Sequence, residues 1–178
     1  IGSIYEAPIN FEKDKLSDAL LGALGLREKR RASLAAWKQF ARAVSNTKAP
    51  EVSIAVVGKY FDTGNFVLAD AYLSVIEAIK FSAAKLNRRP TITWVNSKDL
   101  ERRGPKAVRE LLRPYQGIIV PGGFGESGIE GKLKAIQFAR EERVPYFGLC
   151  YGMQLMVIEY ARNVLGLAHA HTTEIQKN

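Results

Sequence analysis

Val144-Pro-Tyr-Phe-Gly148-Leu-Cys150-Tyr-Gly152-Met-Gln154 sets the only cysteine of a 178-residue chain between two glycines. Val144 to Phe147 reads as a short buried strand, and Gln154-Leu-Met-Val-Ile-Glu-Tyr-Ala-Arg162 reads as a helix. Cys150 then falls on a sharp strand-to-helix turn, the geometry of a nucleophile elbow with cysteine in place of serine. At a helix N-terminus the thiol meets unpaired N–H groups and the positive end of the helix dipole, which favour the thiolate. A core cysteine that follows a strand is the alternative, since free cysteines are among the most buried side chains. The flanking glycines and the strand-helix context favour the elbow.

Upstream, Gln116-Gly-Ile-Ile-Val120 reads as a buried strand running into Pro121-Gly122-Gly123-Phe124-Gly125. Glycines let the backbone turn its N–H groups inward and approach a ligand closely. The N–H of Gly123, paired with that of Tyr151, would form an oxyanion hole for an acyl group attacked by Cys150. Gly123-Phe-Gly125-Glu-Ser-Gly128 also fits a dinucleotide fingerprint. That fingerprint belongs to the first strand of its unit and wants an acid about 20 residues on, where this chain has Gly148-Leu-Cys150.

Around these two loops the pattern alternates. Strands are expected at Val52–Val57, Thr91–Val95, Gly117–Val120 and Val144–Phe147, and helices at Asp70–Leu86, Pro105–Leu112, Ile129–Glu142 and Gln154–Leu165. Such alternation means an α/β fold, an open, mostly parallel sheet with helices on both faces. Functional loops in such sheets lie beyond the carboxyl ends of the strands, where Gly123 and Cys150 both fall. Residues 1–50 lack strand patterning and carry helical stretches at Lys15–Leu24 and Ser33–Val44. In the second, Leu34, Trp37, Phe40, Ala41 and Val44 share helical spacing, which makes Trp37 a packing anchor. Asn46-Thr-Lys-Ala-Pro50 breaks the pattern and marks a boundary.

Pro121-Gly-Gly-Phe-Gly125, Gly148-Leu-Cys-Tyr-Gly-Met-Gln154 and Glu159-Tyr-Ala-Arg-Asn-Val-Leu-Gly166 together resemble the glutamine amidotransferase domain of the CTP synthases. Val57-Gly-Lys-Tyr60, Asp70-Ala-Tyr-Leu-Ser-Val-Ile-Glu77 and Thr172-Thr-Glu174 extend the resemblance, and Ser3-Ile-Tyr-Glu-Ala-Pro8 is similar to the end of that family's synthetase domain. The resemblance implies a flavodoxin-like sheet of the class I (triad) amidotransferase type over 51–178, preceded over 1–50 by the end of a synthetase domain and a helical linker. It implies Cys150 as nucleophile, Gly123 and Tyr151 as oxyanion hole, and Gly122, Gly123, Phe124, Tyr151, Gly152, Met153, Gln154 and Glu174 lining a glutamine site. No metal or cofactor is expected in this domain. ATP, Mg and UTP belong to the synthetase domain, GTP is the expected activator, and the complete protein is expected to be a cytoplasmic homo-oligomer.

Two departures stand out. Residues 61–69, Phe-Asp-Thr-Gly-Asn-Phe-Val-Leu-Ala, make a longer loop than the family pattern. The chain also stops at Asn178, before the His-Pro-Glu segment from which the family takes its general base and orienting carboxylate, so the chain alone is expected to be inactive. A helix over Gln154–Leu165 leaves His169 about 14 Å of reach, too little to return to the thiol, and His171 about 21 Å, barely enough. Both are expected on a solvated loop. Glu174 has the slack to come back.

Composition agrees with one ordinary globular domain: 47% of residues are hydrophobic and 25% charged. A single cysteine excludes a disulfide framework and suits a reducing compartment. No stretch reaches the ~18 consecutive apolar residues of a membrane span, and no signal peptide is expected. The net charge of +8 divides as +4 in 1–50 and +4 in 51–178, so no region is dedicated to nucleic acid. Arg27-Glu-Lys-Arg-Arg31 has no interleaved aromatics and reads as a solvated linker. Two other readings stay open: another class I amidotransferase or a γ-glutamyl hydrolase, which would keep the elbow, and a non-catalytic binding or assembly module without a base.

Overall fold

Glu51 to Gly58 is rich in β-branched residues and has no glycine or proline until its last position, and it becomes an interior strand of the sheet. The computed structural model describes residues 3–29, 33–59, 72–123 and 128–173. The 61–69 loop, Phe124 and Glu174 therefore lie outside the described residues. The chain divides into two units, residues 1–50 with 80–89, and residues 51–79 with 90–178.

The first unit is helical. A 3-10 turn at Ile4–Glu6 leads into α1 (Ala7–Lys13), followed by α2 (Leu16–Ala23) and α3 (Ala35–Val44). The sequence reading missed α1, although Pro8 in its first turn is a helix-start signal, because the fixed φ of proline suits that turn. Lys15, with φ 54°, takes the left-handed conformation that separates α1 from α2. Trp37 is the expected anchor: its Nε1 donates to the Tyr5 carbonyl at 2.7 Å. The Phe40 ring stacks at 4.3 Å on Phe81, from the C-terminal half of α4 (Leu73–Lys85), and meets Tyr5 edge-on at 5.2 Å.

Among the described residues, the second unit holds a four-stranded sheet ordered β2-β1-β3-β4, built from β1 (Glu51–Gly58), β2 (Arg89–Asn96), β3 (Gly117–Val120) and β4 (Tyr146–Gly148). β1 and β3 pair in parallel with Ala55 opposite Ile118, and β3 and β4 in parallel with Val120 opposite Gly148. The side-chain period of two sorts the strands onto two faces. Ala55, Val57, Ile118 and Val120 enter the main core. That core is completed by α5 (Ser97–Glu101), α6 (Pro105–Leu112), α7 (Ile129–Glu141) and α8 (Tyr151–Asn163). Val56 and Ile119 face the other way, against Val75 and Ile79 of α4. Helices thus cover both faces, as the alternation requires.

Three local differences have physical reasons. β4 is not a buried strand: it begins at Tyr146 after Pro145 and lies at the end of the strand order, and Phe147 is 61% exposed. α5 was unforeseen, yet Asn96 caps it by accepting from the Lys98 N–H at 3.0 Å. α8 starts three residues before the expected Gln154, because Cys150 itself is the capping position. The helix is fixed to α7 by Glu159, 1% exposed, which accepts from Arg140 Nη2 at 2.8 Å and from Arg140 Nε at 3.0 Å. That hydrogen bonding holds the guanidinium proton still more firmly than usual.

Candidate active site

The parallel register of β3 and β4 decides what meets what. Val120 and Gly148 are partners at the carboxyl ends of neighbouring strands, and the Leu149 N–H extends the pairing by donating to the Val120 carbonyl at 2.9 Å. The loop that begins at Pro121 and the turn at Cys150 therefore leave the sheet side by side. A Cβ built on Gly122 would stand 3.4 Å from the Cys150 Cβ and 3.9 Å from its Sγ. The structure brings Gly122 and Cys150 together; Gly123 follows on the same loop.

Cys150 has φ 51° and ψ −108° and is exposed. A positive φ is uncommon for a residue with a Cβ, and such strain persists only where the surroundings impose it. Here they do. The Gly152 N–H donates to the Leu149 carbonyl at 2.9 Å, and the Met153 and Gln154 N–H groups donate to the Cys150 carbonyl at 3.1 and 3.2 Å. The glycines make room for this: a Cβ on Gly148 would come within 2.6 Å of the Gly152 carbonyl carbon and the Met153 nitrogen. A Cβ on Gly152 would collide with the Val120 carbonyl.

Sequence reasoning missed two supporting residues. The Tyr146 hydroxyl donates to the Gly152 carbonyl at 2.8 Å, bracing the first turn of α8 from the strand before it. Burial raises that phenol above its ordinary value, so it stays a donor. The signal was only that Tyr146 is two residues before Gly148 on a pleated strand. Lys132 is 3% exposed, and its Nζ lies 5.4 Å from the centroid of the Tyr151 ring. Burial, and to a lesser degree the charge of Lys59, lower its pKa to about 8.

The other expected residues divide. Tyr151 is 2% exposed with its ring in the main core, so what it offers a ligand comes from its backbone. Gly152 is buried, Gln154 is half-buried and Met153 is 48% exposed. The chain returns sooner than a helix ending at Leu165 would allow, because α8 stops at Asn163. Arg162 Nε then donates to the Ala170 carbonyl at 2.7 Å, and Thr172 Oγ1 reaches Gln154 Oε1 at 3.2 Å. His171, next to Thr172, is half-buried rather than solvated, with Nδ1 3.4 Å from the Thr172 carbonyl oxygen. His169 is exposed. Among the described residues neither histidine is hydrogen-bonded to Cys150, and no group of side chains suited to holding a metal is found.

Comparison with known proteins agrees with this geometry. The family model for class-I glutamine amidotransferases matches residues 67–178. A CTP synthase of Sulfolobus acidocaldarius is 47% identical over 98% of this chain, and one of Sulfurisphaera tokodaii is 44% identical over 100%. The chain spans about a third of these relatives' length, 31% and 32% respectively. Among solved structures, the glutaminase domain of Trypanosoma brucei CTPS with bound acivicin aligns with a TM-score of 0.60 at 42% identity, covering 69% of this chain and 45% of that one. With the family model matched over more than half its length and the elbow formed as that resemblance requires, the chain belongs to the class-I glutamine amidotransferases.

Proposed function

We propose that this chain is the glutaminase part of a CTP synthase, releasing ammonia from glutamine for the conversion of UTP to CTP. The observation that carries the reading is the backbone of Cys150, held at φ 51° on a strand-to-helix turn beside Gly122. Relatives named CTP synthase match nearly the whole chain, including residues 1–50, which supports the acceptor chemistry over another amidotransferase or a γ-glutamyl hydrolase. The acivicin bound to the Trypanosoma brucei glutaminase domain supports a small-molecule site in this domain too.

On this reading the Cys150 thiolate attacks the side-chain amide carbon of glutamine. The C–S bond forms as the carbonyl electron pair moves to oxygen, where the N–H groups of Gly123 and Tyr151 receive it. Collapse of this intermediate returns the pair, breaks the C–N bond and, with a proton delivered to nitrogen, releases ammonia. Water then cleaves the thioester to glutamate and restores the thiol. Gly122, Phe124, Gly152, Met153, Gln154 and Glu174 line the glutamine, with Glu174 opposite its ammonium group. Proton transfer falls to the histidine of a His-Pro-Glu segment, as the family resemblance implies.

The remaining parts follow the same reading. Residues 1–50 join this domain to a synthetase domain that holds UTP and Mg-ATP, GTP activates, and the complete protein is a cytoplasmic homo-oligomer. The test is an assay of the complete polypeptide with UTP, ATP, Mg and glutamine. CTP and glutamate should appear together. Glutamate release indifferent to UTP, with no CTP formed, would favour a hydrolase or another acceptor.

A further inference from the structure

We infer that Thr172 is a positioning residue, which orients the side-chain amide of Gln154 for substrate; the inference rests on the glutaminase reading above. Gln154 stands one helical turn beyond the elbow, its N–H donating to the Cys150 carbonyl at 3.2 Å. It lies in the first turn of α8, and the family resemblance puts its side chain among the groups that line the glutamine. A glutamine amide is nearly symmetric in shape and opposite in function at its two ends, an acceptor oxygen and a donor NH₂. Rotation by about 180° about its last bond would exchange them and reverse what the site recognises.

The structure supplies a device against that exchange. The Thr172 hydroxyl donates to Gln154 Oε1 at 3.2 Å, which engages the oxygen and sets the two N–H donors on the opposite side of the amide. Thr172 itself is held in place from behind. Arg162, on the last turn of α8, donates from Nε to the Ala170 carbonyl at 2.7 Å and from Nη1 to Glu130 at 3.3 Å. The Leu167 N–H donates to the Ala161 carbonyl at 2.9 Å, and the Ala170 N–H to the Leu167 carbonyl at 2.9 Å. A return so tied delivers the hydroxyl to a fixed point over the helix. With its oxygen engaged, Gln154 presents donors to an acceptor atom of the bound glutamine.

The test compares Thr172→Val, nearly the same in shape but without the hydroxyl, with Thr172→Ser in the complete polypeptide. Thr172→Val should raise the KM for glutamine on the order of tenfold with kcat within about twofold, while ammonia-dependent synthesis stays unchanged. Thr172→Ser, which restores the donor, should return KM to within about twofold of wild type. Because Thr172 acts through Gln154, Thr172→Val should add nothing to Gln154→Ala in the double variant. An unchanged glutamine KM in Thr172→Val, or an additive loss in the double variant, would overturn the inference while leaving the glutaminase reading intact. Equal losses with glutamine and ammonia would also overturn it, by showing a general structural role. Wild-type protein that consumes no glutamine would remove both.

Discussion

The α-carbon of Gly152 rests against the backbone of Val120, so closely that a Cβ at position 152 would overlap the Val120 carbonyl oxygen and stand 2.9 Å from its carbon. The helix that follows the candidate nucleophile is thus seated directly on the end of β3, whose next residues begin the glycine loop. The position of Cys150 relative to Gly122 depends on that contact.

Gly152→Ala should therefore separate the elbow from the sheet. The neighbour is backbone and cannot swing aside, so we expect a loss of about 1–3 kcal/mol in urea unfolding of the chain. In the complete polypeptide, glutamine-dependent synthesis should fall on the order of a hundredfold, the scale of a misplaced reacting group. Gly22→Ala is the contrasting case, since nothing lies within 4 Å of its Cβ position inside α2. It should stabilise by about 0.5–1 kcal/mol.

Tyr146→Phe tests the brace from β4. It removes the hydroxyl that donates to the Gly152 carbonyl at 2.8 Å and leaves a buried acceptor behind. Unfolding should become easier by about 1–2 kcal/mol, and kcat with glutamine should drop several-fold while ammonia-dependent synthesis is kept. Unaltered glutamine kinetics would show that the turn holds its shape without the brace.

Much of this arrangement was legible in the sequence because it depends on local chemistry. Gly148 and Gly152 flank Cys150 at fixed spacing, and the pattern alone placed α6 at Pro105–Leu112 and β3 at Gly117–Val120, as observed. What escaped was set by distant partners. The exposure of Phe147 follows from the place of β4 at the end of the strand order, which periodicity does not encode. The Tyr146 brace depends on how α8 folds back against β4, and the Lys132 position over Tyr151 on how α7 and α8 pack. The early return of Thr172 depended on α8 ending at Asn163 instead of Leu165, two residues that changed the reach available to everything after it.

Lys132 gives a pH-dependent prediction. Its pKa is lowered from 10.5 to about 8, so below pH 8 both folded and unfolded chains carry the charge, and the fold bears the cost of burying it. Between about pH 8 and 10.5 the folded chain has released the proton while the unfolded chain still binds it. Stability conferred by this residue therefore rises with pH across that window. Lys132→Met keeps the apolar stem and removes the charge, so it should raise the thermal midpoint at pH 7, and the difference from wild type should shrink as pH approaches 10. A difference independent of pH would contradict the assignment of the cost to the buried ammonium.

On the proposed function, Cys150 performs the glutamine chemistry and nothing else. The direct measurement is the rate of CTP formation by Cys150→Ala in the complete polypeptide, taken once with glutamine and once with free ammonia as nitrogen source. Synthesis from glutamine should vanish to a trace, because no other thiol exists in these 178 residues to form the thioester. Synthesis from ammonia should remain within about twofold of wild type, because it bypasses the elbow. Glutamine-dependent synthesis above a trace in that variant would contradict the account.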